Sequence, residues 1–64
     1  MFKEYDVVIA KKNLSDKVKL GMRGAVLLVF RSNRNKYEVE FVDDKTGIVE
    51  LLTVDEINLD FDKC

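Results

Sequence analysis

The clearest pattern in the chain lies at Lys36–Val42. There Tyr37, Val39 and Phe41 alternate with Lys36, Glu38 and Glu40. A period of two places three apolar side chains on one face of a strand and the charges on the other. Residues 43–47 (Asp-Asp-Lys-Thr-Gly) read as a hairpin turn ending on glycine, and residues 48–54 as the return strand. Upstream, residues 25–30 form an unbroken apolar run of six, opened by Gly24 and closed by the turn formers of residues 31–35. A run that short fits a buried strand better than a helix, which needs about ten residues or more. Its alternation assigns Leu27 and Val29 outward, together with Val49 and Leu51 of the later strand.

The remaining elements are shorter. Residues 5–10, from Tyr5 to Ala10, are rich in β-branched and aromatic side chains and predict a first strand. Residues 11–19 are polar and irregular, and read as a long surface loop in which Val18 and Leu20 are too few to build an apolar face. Residues 55–57 suggest one helical turn with Asp55 as its N-cap. Leu59–Phe61 is a last short strand with both apolar residues on one face. Phe30 and Phe61 are expected to join Tyr37 and Phe41 in the core. The expectation is an all-β fold: a small SH3-like five-stranded antiparallel barrel with a single helical turn before the last strand. Closing the sheet hides its edges.

Size and composition narrow the function. A single domain spanning residues 1–64 is the most this chain can make. A chain of that size buries only about 60% of its unfolded surface, so its core is marginal. No disulfide can help, because Cys64 is the only cysteine, and there is no histidine. That removes the commonest zinc ligand and the commonest general base together. The hydroxyls of Ser15, Ser32, Thr46, Thr53, Tyr5 and Tyr37 therefore have no imidazole to activate them. No apolar run approaches the roughly 18 residues of a membrane span, and Met1-Phe2-Lys3-Glu4 lacks a signal-peptide core. A cytoplasmic, non-enzymatic domain without cofactor or metal is expected.

Charge sharpens this. Residues 1–36 carry nine basic and three acidic side chains, a net of +6, and residues 37–64 carry two and nine, a net of −7. Such a split can mark a polar binding surface, or the halves can interleave and neutralise each other.

Several segments together resemble one family. They are Tyr5-Asp6-Val7-Val8, Leu20-Gly21-x-x-Gly24-x-Val26, Tyr37-Glu38-Val39-Glu40-Phe41-Val42-Asp43, Gly47 and Leu51-Leu52-Thr53-Val54. Over nearly the whole chain they resemble the domain-of-unknown-function 4926 family of small bacterial proteins. The Gly21-x-x-Gly24-x-Val26 piece is also similar to the KOW-type element of SH3-like barrels. The resemblance implies an SH3-like barrel without catalytic residues, acting as an antitoxin or immunity protein toward a neighbouring toxin, often a nuclease. Leu28 departs from the family, where a polar residue is expected, and makes the second strand unusually apolar.

Two kinds of partner follow. Lys11, Lys12, Lys17, Lys19, Arg23, Arg31 and Arg34 could serve a KOW-like nucleic-acid- or ribosome-associated module. Against this stands a sequence pI near 5.3. The favoured reading is a non-catalytic protein-interaction module. It would neutralise a basic toxin from an adjacent gene through an acidic face made of Glu38, Glu40, Asp43, Asp44, Glu50, Asp55 and Glu56. Glu38, Glu40 and Glu50 are expected on the outer face of one hairpin, with Asp43 and Asp44 at its tip. The apolar excess also leaves room for a homodimer or a structural accessory protein.

Overall fold

The computed structural model describes residues 2–30, 32 and 35–62. Five antiparallel strands form one sheet: β1 (Val7–Ala10), β2 (Arg23–Val29), β3 (Lys36–Val42), β4 (Val49–Asp55) and β5 (Leu59–Phe61). A 3-10 turn at Glu56–Asn58 precedes β5. The expected all-β architecture, with a helical turn before the last strand, is what the chain adopts. No helix among the described residues is long and apolar enough to cross a membrane.

The sheet order is β4-β3-β2-β1-β5, so the two edge strands are consecutive in sequence. A flat sheet would hold them about 19 Å apart, four spacings of roughly 4.8 Å. Yet only three residues separate Asp55 from Leu59. Four Cα steps reach at most about 14 Å fully extended, and less in a 3-10 turn. The sheet must therefore curl until its edges meet at this end. Backbone bonds fasten the closure on both sides. The Glu56 amide donates to the Asn35 carbonyl at 2.7 Å, and the Lys11 amide to the Asn58 carbonyl at 2.9 Å.

Curling creates the concave side that holds the core. Val8, Ala10, Val26, Tyr37, Val39, Phe41, Val54 and Leu59 fill it from all five strands. Phe41 of β3 lies directly across from Gly24 of β2. A Cβ on Gly24 would stand 2.8 Å from the Phe41 ring and 2.9 Å from the Glu40 carbonyl oxygen, so only glycine lets β2 and β3 approach here.

Several expectations are corrected. The first strand starts at Val7 rather than Tyr5, because a turn closes at residues 3–6. There the Lys3 amide donates to Asp6 Oδ2 at 2.8 Å, and Tyr5 takes a left-handed φ of 69°. The second strand runs Arg23–Val29, with Gly24 inside it rather than opening it. A register irregularity between Val26 and Leu28 then breaks the alternation. It turns Leu28 outward, 45% exposed, and returns Val29 to the edge of the core. Asp55 does occupy the N-cap position, but its carboxylate makes no cap bond. Instead it accepts from Lys36 Nζ at 2.8 Å.

The core also recruits residues that the pattern did not mark. Val18, inside the polar loop, is fully buried. The loop folds around it through its own polar groups. Ser15 Oγ accepts from the Val18 amide at 3.0 Å, and Asn13 Oδ1 from the Leu20 amide at 2.8 Å. Phe2 is buried as well, its ring 5.4 Å edge-on to Tyr37 and 4.6 Å from Phe61. Phe61, expected inside, stays 46% exposed, and Phe30 is only half-buried.

Candidate protein-binding face

The β-hairpin fixes what its outer face presents. In the β3–β4 register Glu38 faces Thr53, Glu40 faces Leu51 and Val42 faces Val49. Directly opposed residues share a face, so these six stand together on the convex side. Across β3, the β2 neighbours of Glu38, Glu40 and Val42 are Leu28, Ala25 and Arg23, and Val7 of β1 lies beside Ala25. Val7, Leu28, Val42, Val49 and Leu51 are all exposed. The convex face is thus a field of aliphatic side chains around two carboxylates, placed two residues apart on β3 and about 7 Å from each other, with Arg23, paired to Asp62, at its β2 end.

The two glutamates differ in their surroundings. Glu38 Oε1 accepts from Thr53 Oγ1 at 2.9 Å, which orients it along the sheet. Glu40 lines a shallow groove of about 210 Å³ with Val7, Arg23, Gly24, Ala25, Val42 and Asp44. An apolar floor with carboxylates at its rim suits a lysine or arginine, whose stem is aliphatic and whose head is cationic.

The other expected site residues scatter. Glu50 sits opposite Phe41 and so points to the concave side, not to the outer face with Glu38 and Glu40. There it lines an open groove of about 600 Å³ that also carries Asp16, Lys17, Lys19 and Lys45. Asp43 does lie at the hairpin tip, but its Oδ1 accepts from the Lys45 amide at 2.9 Å and so serves the turn. Asp44 beside it is exposed. Asp55 is paired with Lys36 at the far end of the hairpin.

Glu56 has a structural task. Its Oε1 accepts from the Tyr37 hydroxyl at 2.8 Å, while that hydroxyl accepts from the Phe2 amide at 3.2 Å. Burial pushes the Tyr37 hydroxyl above its usual pKa, and the Glu56 carboxylate adds to the rise against the Phe2 amide. The hydrogen bond from Tyr37 in turn holds Glu56 below the ordinary carboxylate range.

The basic half is interleaved with the acidic one. Arg23 Nε meets Asp62 Oδ2 at 2.9 Å, and Lys36 meets Asp55. Lys17 and Lys19 share their groove with Asp16, Asp43 and Glu50. Arg31, Arg34 and Cys64 lie outside the described residues.

The model of the family described as Domain of unknown function (DUF4926) matches residues 4–60. The chain belongs to that family. No curated protein and no solved structure matches it.

Proposed function

We propose that this DUF4926 member is a non-catalytic protein-interaction module. In this reading it binds a basic protein on the convex face of β2, β3 and β4, as a bacterial, cytoplasmic antitoxin or immunity protein would bind a nuclease toxin. One observation carries the reading: Glu38 and Glu40 stand on one exposed face among Val7, Leu28, Val42, Val49 and Leu51. Aliphatic anchors supply contact energy, and the carboxylates select and steer a basic partner. The sheet order agrees with an SH3-like barrel, a scaffold whose outer faces serve binding. The KOW-like nucleic-acid reading is less favoured, because Lys17, Lys19, Arg23, Lys36 and Lys45 share their surfaces with carboxylates, which repel phosphate.

The test is binding and growth rescue with the product of the adjacent gene. Glu38→Lys with Glu40→Lys is expected to slow association at least tenfold and to make the residual binding less sensitive to salt. Lys11→Glu with Lys12→Glu is expected to change little. A defect confined to the lysine pair would move the interface to the basic half. Submicromolar oligonucleotide binding that falls log-linearly with salt would replace the protein reading altogether.

A further inference from the structure

The free edge of β4 offers a second interface. Backbone bonds at the two ends of the hairpin set its ladder. The Asp43 amide donates to the Ile48 carbonyl at 2.9 Å, and the Glu56 amide to the Asn35 carbonyl at 2.7 Å. Bonded and non-bonded pairs alternate in an antiparallel ladder. With Phe41 opposite Glu50, Val39 opposite Leu52 and Tyr37 opposite Val54, those three pairs are the bonded ones. The N–H and C=O groups of Val49, Leu51 and Thr53 therefore point away from β3. Among the described residues no strand lies beyond β4 and no backbone partner meets these groups.

Of the usual guards this edge carries only the inward carboxylate of Glu50 and a loop near its C-terminal end. It is seven residues long, contains no proline, lysine or arginine, and exposes Val49 and Leu51. The opposite edge, β5, is three residues long. The loop residues Lys12, Asn13 and Leu14 border β4 from Leu52 to Asp55 across a gap of about 320 Å³, so the edge is most open from Val49 to Leu51.

We propose that two copies of this chain join through antiparallel pairing of their β4 edges, with the two-fold axis at Leu51. Leu51 then faces Leu51 of the second copy, and Val49 faces Thr53, so all outward backbone groups find partners. Charge favours a second copy as the occupant. In this register Glu50 faces Leu52 of the second copy rather than another carboxylate, and Lys12 lies beside that Leu52. The acidic strand of each copy thus meets the basic loop of the other. Moving the axis to Thr53 would instead set Glu50 against Glu56. The dimer forms one continuous ten-stranded sheet and leaves Glu38 and Glu40 of both copies open, so it does not depend on the partner proposed above.

Sedimentation equilibrium of the full chain alone, at roughly 100 µM, tests this. A dimer is expected, with the Leu51 and Thr53 amides protected from hydrogen exchange. Leu51→Lys, at the axis, and, separately, Thr53→Lys, opposite Val49 of the second copy, place cations on exposed positions of the seam and should give folded monomers in which those amides exchange fast. Glu38→Lys with Glu40→Lys should leave the dimer intact. A monomeric wild-type chain, or a dimer that survives both lysine variants, would overturn the proposal.

Discussion

β3 and β4 share one register and one alternation, yet they bury their residues very differently. Inward residues Tyr37, Val39 and Phe41 of β3 are all fully buried, whereas on β4 only Val54, across from Tyr37, is buried, and Glu50 and Leu52 across from Phe41 and Val39 are half-buried. The difference is position in the sheet. β3 has a strand on each side and curvature closing over it, while β4 is an edge. Alternation therefore states which way a side chain points, and neighbours decide how much water it loses.

The strongest way to break this contrast is Val39→Asp. An unpaired carboxylate at a fully buried site costs several kcal/mol, comparable with the whole stability of a domain this small. Thermal unfolding should show no native transition, and an unchanged transition would refute the central role of β3. Next comes Gly24→Ala, where the new methyl must displace Phe41 or the β3 backbone. About 1–3 kcal/mol of destabilisation is expected in denaturant titration. Leu52→Ala should cost about 1 kcal/mol, below the 2–5 kcal/mol of a fully buried leucine, and a larger loss would mean that the edge is less open than its exposure indicates.

Smaller still is the effect of pH through Tyr37 and Glu56. The folded state lowers the Glu56 pKa, so its contribution is present above the unfolded value and is lost as pH falls through the folded one. Glu56→Gln should therefore differ from wild type in melting temperature at pH 7 and converge with it in acid. For Tyr37 the folded pKa is raised, so its contribution holds below the unfolded value and is lost as pH rises through the folded one. Tyr37→Phe should flatten that alkaline decline. The smallest effect expected is that of Glu38→Lys with Glu40→Lys on folding, within about 0.5 kcal/mol, because both sit on the convex face.

How far the sequence could be read follows the same contrast. The Lys36–Val42 strand was legible to the residue, because a central strand with one solvated face must alternate. The apolar run before it hid its irregularity, since an uninterrupted aliphatic stretch looks the same with or without an extra residue. Val18 and Phe2 were invisible for the opposite reason, as single apolar residues among polar ones carry no period. In the candidate face, Glu38 and Glu40 followed from alternation, but Glu50 did not. The four residues between Asp43 and Ile48 pair each even-numbered β3 position with an odd-numbered β4 one, and only the turn length, not the polarity pattern, fixes that parity.

The curl that brings the sheet edges together also orders events in time. β1 pairs with β5 through Val8 and Phe61, so among the strand pairings this one closes the longest loop. The β3–β4 hairpin, joined by a short turn, closes one of the shortest. Loop-closure entropy makes the hairpin an early folding nucleus and the β1–β5 seam the last to form and the first to fray. Hydrogen exchange should find that seam opening at a lower free energy than the hairpin, which locates the weak point of the domain where its two ends meet.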